Sequence, residues 1–176
     1  MNGLRSSVAA AALALGLLGG VAGCTDANAT DTSTGDDVTS AAAEQAADVT
    51  VQDTWVKAVD SGMTAAFGLL VNDSDRDVRV VSSTSDASPV MELHETVEST
   101  DGQMVMREKD GGFIIPANSQ YVLQPGANHL MLMDVVQPIK AGDVVTFAVE
   151  FEDGSAFEFE APVKDYTGAN ERYVDE

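Results

Sequence analysis

The 176-residue chain reads as an all-β protein, an antiparallel sandwich or barrel carried behind an N-terminal export segment. Two observations predict this class. Apolar or alternating stretches of strand length recur about every eight to twelve residues, separated by polar turn-forming clusters. No stretch with a convincing helical period follows residue 48. The length suits one domain of ordinary size with tails.

The export segment comes first. Arg5 gives a short positive start, and Val8 to Leu18 is an apolar run too short for a comfortable membrane span. It closes on Val21-Ala22-Gly23-Cys24, which looks like a bacterial lipobox: an aliphatic residue, two small ones, then the thiol that takes the lipid. No twin arginine precedes it. Cys24 is the only cysteine, so an internal disulfide is excluded. Residues 1–23 are thus expected to be a lipoprotein signal peptide. Cys24, the expected lipidation site, would hold the mature chain at the membrane by its acyl chains. Residues 24–48 form the lipidated cysteine and a flexible tether of Ala, Thr, Ser, Asp and Gly, too poor in large apolar side chains to offset its ordering entropy. Ala41 to Ala47 has helix-forming composition but no apolar face to dock.

The folded domain is expected over 49–163. Val49 to Lys57 alternates as a strand. Thr64 to Val71 is a continuous apolar run, closed by the polar turn Asn72-Asp73-Ser74-Asp75. Val78–Ser82, Val90–Val97, Gln103–Arg107, Gln120–Leu123 and His129–Val135 follow as short strands. Val144–Phe151 and Ala156–Val163 make a hairpin around Glu152-Asp153-Gly154. Residues 164–176 form a polar acidic tail, expected to be loose or partly docked through a tyrosine.

The formal charge of −20 excludes nucleic acid as a partner, because phosphate binding needs clustered Lys and Arg. It equally disfavours an electrostatic grip on anionic lipid. No nucleophile–base pair stands out, so the chain is not expected to be an enzyme.

The chemistry concentrates in His129-Leu130-Met131-Leu132-Met133. Side-chain alternation puts the leucines on one face and an imidazole with two thioethers on the other. The chain has two histidines, His94 and His129. In the strand around His94, Glu92 and Thr96 share its face, while Met91 points the other way and reads as core. Met104 and Met106 share a face of the next strand. Whether that face meets His94 depends on the hairpin between them. A two-residue Asp101-Gly102 loop pairs Val97 with Met106, on the wrong side. A three-residue Thr100-Asp101-Gly102 loop with a left-handed Gly102 pairs Thr96 with Met106 and Glu98 with Met104. Thioether sulfur is soft and neutral, binding Cu(I) well and zinc, calcium or magnesium poorly. Imidazole accepts copper in either oxidation state. Two His and two Met therefore suit Cu(I), while the same residues could equally be packing. A blue-copper centre would need a thiolate, and the one cysteine is assigned to lipid.

Several ordered blocks carry a resemblance. These are Asp53-Thr54-Trp55-Val56, Met63-Thr64-Ala65-Ala66-Phe67, Met91-Glu92-Leu93-His94-Glu95, Met104-Val105-Met106-Arg107, Ile115-Pro116-Ala117, Leu123-Gln124-Pro125-Gly126 and His129 to Met133. Together they resemble the bacterial periplasmic copper chaperone family PCu(A)C over residues 49–163. The resemblance implies an all-β, cupredoxin-like antiparallel Greek-key β-sandwich. It implies metal ligation by His94, Met106, His129 and Met131, with Met104 and Met133 as further candidates. Each of the two long gaps in this motif is one residue longer here than in the family's pattern, so the hairpin register decides between Met106 and Met104. The implied activity is Cu(I) transport outside the cytoplasm, with delivery to copper acceptor proteins such as cytochrome oxidase assembly components. A lipid anchor at the extracytoplasmic face of the cell membrane fits that activity. The other readings are a copper store, or a surface lipoprotein whose sandwich serves adhesion or capture without metal.

Overall fold

The computed structural model describes residues 45–174. The expected signal peptide, Cys24 and tether residues 25–44 lie outside the described residues. The chain makes one helical turn, α1 (Gln45–Asp48), and then β1 (Val49–Lys57), β2 (Gly62–Asn72), β3 (Val78–Ser85), β4 (Met91–Glu98) and β5 (Met104–Glu108). It continues with β6 (Phe113–Ile115), β7 (Ser119–Leu123), β8 (His129–Val135), β9 (Val144–Phe151), β10 (Ala156–Lys164) and β11 (Arg172–Tyr173). Among the described residues no helix is long and apolar enough to cross a membrane.

Hydrogen bonding runs β11-β5-β4-β8-β2-β1 and then β10-β9-β3-β6, with β7 on the far half of β2. The two halves meet where Val56 and Lys57 run parallel to Val163 and Lys164. The sheet is therefore mixed rather than purely antiparallel, since β11 also runs parallel to β5. One face of each half turns inward. Val56, Leu70, Leu130 and Leu132 from the first half pack with Val80, Phe147, Phe151 and Ala161 from the second into the main core.

Two bulges decide which side chains face outward. On β1, Gln52 pairs Leu69 while Trp55 pairs Phe67, so Asp53 and Thr54 together oppose Gly68. Strict alternation from Val49 and Val51 would carry Trp55 into the core. The bulge flips the phase, so Val56 goes in and Trp55 goes out. Gly68 makes this possible. Its φ is +154°, and a Cβ there would stand 3.0 Å from the Gln52 carbonyl oxygen. On β8, Leu132 pairs Thr64 and Val135 pairs Gly62, so Met133 and Asp134 share one partner and Val135 turns inward.

Chain outside residues 49–163 also packs on the domain at both ends. The turn Gln45–Asp48 docks: the Gln45 amide donates to Asp153 Oδ2 at 3.0 Å, and the Ala46 amide to Ser155 Oγ at 3.0 Å. Ala46 itself packs on the core, which supplies the apolar contact that its sequence does not advertise. The segment after β10 is not loose. Residues 165–174 return across the outer face of the first half-sheet, and Tyr173 reaches the edge of β5.

Candidate metal centre

The outer face of β4, β5 and β8 is built by register. His94 on β4 pairs directly with His129 on β8, and Glu92 with Met131. On the other side of β4, Thr96 pairs with Met106 and Glu98 with Met104. This is the register of the three-residue loop. The Gly102 amide closes it by donating to the Ser99 carbonyl at 2.9 Å, with Gly102 at a φ of +76°. Strand alternation then places His94, Met106, His129 and Met131 on one side, while Leu93, Leu130 and Leu132 enter the core.

The outer side chains form a second, smaller cluster. Met106 and Met131 are buried with Ala65 and Phe67, and Trp55, Met133 and Tyr173 pack around them. The two imidazoles stand edge to face, 5.4 Å between ring centres. The Phe67 ring lies 6.2 Å from that of His129. Met106, His129 and Met131 line a common cavity of about 200 Å³. His94 is fully buried beside them, beneath Tyr173. Met104 is half exposed and lies outside this cluster, Met133 packs at its edge, and Met91 packs against the main core.

Hydrogen bonding fixes both rings. His94 Nε2 sits 2.6 Å from Glu92 Oε2. A carboxylate accepts, so Nε2 carries a proton, and in the neutral ring Nδ1 holds the lone pair. That Nδ1 is buried with no hydrogen-bond partner. His129 Nδ1 donates to the Ala127 carbonyl at 2.9 Å, which leaves Nε2 as its free lone pair. The same carbonyl accepts from Thr96 Oγ1 at 3.2 Å, so the loop before β8 is tied to β4. Burial pushes the His129 pKa from 6.5 down to about 4; the Ala127 bond opposes this, the nearby His94 adds to it and Glu171 opposes it. His129 is therefore neutral at neutral pH.

Among the described residues, no group of three or more His, Cys, Asp or Glu could hold a metal ion. The arrangement offers neither a zinc-type nor a calcium-type centre. It offers imidazole lone pairs beside thioethers in a largely apolar wall, the donor set of a soft monovalent ion.

Sequence reasoning did not find several neighbours of this cluster. Trp55 is placed there by a bulge, and Tyr173 by a two-residue strand. Glu92 was legible only as a face-mate of His94. Lys57 gives no local signal, because its partners lie more than a hundred residues away.

The profile of the family "Putative lipoprotein LpqE-like" matches residues 49–163. A Leifsonia xyli subsp. xyli protein named "Putative lipoprotein Lxx21020" is 45% identical over 130 residues, covering 74% of this chain and 78% of that protein. The solution structure of apo-DR1885 from Deinococcus radiodurans aligns with a TM-score of 0.53 at 27% identity, over 88% of this chain and 97% of that one. A copper-bound PCuAC domain from PmoF2 aligns with a TM-score of 0.56 at 17% identity, over 68% of this chain and 94% of that one. The fold is thus that of PCuAC domains.

Proposed function

The chain belongs to the LpqE-like lipoprotein family, and from that premise we propose that it is an extracytoplasmic Cu(I) chaperone tethered to the cell membrane through Cys24. The observation that carries this reading is the pairing of the chain's two histidines across β4 and β8, with Met106 and Met131 buried on the same face. A buried imidazole nitrogen without a partner is costly in a merely structural role. A metal ion would satisfy it.

The roles follow from the donors. His94 Nδ1 and His129 Nε2 supply the nitrogen lone pairs; Met106 and Met131 supply the thioethers. Glu92 and the Ala127 carbonyl hold the rings in the tautomers that leave those lone pairs free. All four donors are neutral, so the site favours Cu(I) over Cu(II) and no ligand has to be reprotonated for release. The phase of each strand is locked by core leucines and bulges, so the ligands need little rearrangement to converge. The acceptors are copper proteins at or beyond the membrane, such as cytochrome oxidase assembly components. A lipid anchor raises the carrier's effective concentration near them. Similarity to a copper-bound PCuAC fold and to a protein named a lipoprotein supports the reading.

The test is a Cu(I) titration of the protein against a competing chromogenic chelator. The expected result is one equivalent bound tightly by the parent, with binding lost in His129→Ala and Met131→Ala. Parent binding no stronger than in those variants would refute the assignment.

A further inference from the structure

The family match ends at residue 163, yet part of the cavity wall does not come from that stretch. Ala169, Asn170 and Glu171 line it together with Met106, His129 and Met131. The segment 165–174 is held across the site at four places. Tyr166 packs edge-on against Trp55, 5.2 Å between ring centres. Tyr173 stacks on His94 at 5.2 Å and within 6° of parallel, and its hydroxyl reaches Glu92 Oε2 at 3.4 Å. Beyond it, the Val174 amide donates to the Met106 carbonyl at 3.0 Å.

The central attachment is Lys57. Its ammonium donates to the Gly168 carbonyl at 2.6 Å, the Ala169 carbonyl at 3.0 Å and Asn170 Oδ1 at 2.7 Å. These three bonds use all the donors an ammonium has. They hold the chain in a shape it would not choose alone. Ala169 sits at a φ of +54°, where a Cβ is strained. Gly168 lies so close to the Tyr166 ring that a Cβ there would stand 2.7 Å from it. A strained turn gripped by one side chain is a joint that opens when the grip is lost.

We infer that residues 165–174 are a latched strap that closes the His/Met cavity, with Lys57 as its latch, and that ions pass to and from the cavity when the strap lifts. The inference rests on the copper reading for the identity of the ion, but not for the existence of the strap. Tyr173 covers His94, so the strap must move before His94 meets anything from solvent. Closure narrows the route by which competing ligands reach the soft donors. An acceptor that displaces the strap would meet Trp55, Phe67 and the edge of β5.

Two readouts on the full chain test this, using Lys57→Leu, which keeps an apolar stem and adds no metal donor, and Lys57→Arg, which keeps a charged donor. The first is the rate of diethyl pyrocarbonate modification of His94 in metal-free protein, followed by mass spectrometry. The second is the rate of Cu(I) transfer to an excess of chelator. In Lys57→Leu, both rates should rise about tenfold with the equilibrium affinity changed by less than about threefold, because the three charge-assisted bonds are lost while the ligands remain. Lys57→Arg should fall near the parent. Tyr166→Ala, which releases the other end, should move both rates the same way and guards against a folding defect at residue 57. An unchanged His94 modification rate in both Lys57→Leu and Tyr166→Ala overturns the strap, whatever copper does. Faster His94 modification with unchanged Cu(I) transfer overturns the gating. If no variant and no parent binds Cu(I) while His94 modification still accelerates, the copper reading fails and the latch stands.

Discussion

Acidifying the metal-free chain should destabilise it through His129, with a size that follows from the geometry. His129 is 4% exposed, walled by Phe67 and Met131, and its only bonded ring nitrogen faces the Ala127 carbonyl. Charging it would put an imidazolium into an apolar wall beside a second imidazole. In the unfolded chain its pKa is the ordinary 6.5, and in the folded chain it is about 4. The unfolded state therefore binds the proton first as pH falls. His129's contribution to stability is fully present above about pH 6.5 and is lost as the pH drops through about 4. Converting the difference at 1.36 kcal/mol per tenfold gives a loss of about 3 kcal/mol from this one group. The assay is urea unfolding of the metal-free chain at intervals from pH 8 to 4. His129→Phe is the reference, since it keeps a flat ring and removes the titration while the many carboxylates titrate alike in both proteins. The parent-minus-variant stability should decline by about 3 kcal/mol across that range, most of it below pH 6. A difference that stays flat would refute the claim that this imidazole is buried neutral.

Other outcomes follow from the same structure. Gly68→Ala should cost about 2 kcal/mol in urea unfolding, because it puts a Cβ against the Gln52 carbonyl at a backbone angle that side chains avoid; an unchanged midpoint would mean that the β1 bulge does not need a glycine. Leu132→Ala removes a side chain that is fully buried beneath the His/Met face and should cost about 3 kcal/mol by thermal unfolding, with weaker Cu(I) binding as β8 loosens. Cys24→Ser should move the cellular protein from the detergent-rich to the aqueous phase in phase partitioning; retention in the detergent phase would reject Cys24 as the lipid attachment.

Much of the fold was legible because local pattern and burial agree. In β8 the order imidazole, leucine, thioether, leucine is itself the map of outer face and core, and its bounds match the sequence reading. The β9–β10 hairpin around Glu152-Asp153-Gly154 was equally plain. The β4–β5 register was reducible to two alternatives, and a left-handed Gly102 selects the one that puts Met106 beside His94's face. What stayed hidden depends on contacts between distant parts of the chain. The β1 bulge, which turns Trp55 outward, is answered by Gly68 on another strand. β6 and β11 are three and two residues long and exist only as partners of β3 and β5. The docking of Gln45–Asp48 needs Asp153 and Ser155, and the docking of 165–174 needs Lys57. A stretch of acidic, small residues with two tyrosines does not reveal from its own composition that it will roof a cavity.

The His/Met assignment is tested most directly by X-ray absorption at the copper edge of the Cu(I)-loaded protein. Ligation by His94, Met106, His129 and Met131 should give a first shell of mixed sulfur and imidazole nitrogen, with the sulfur contribution reduced in Met106→Ile and again in the double variant with Met131→Ile. A first shell of nitrogen and oxygen alone, unchanged by either substitution, would contradict it.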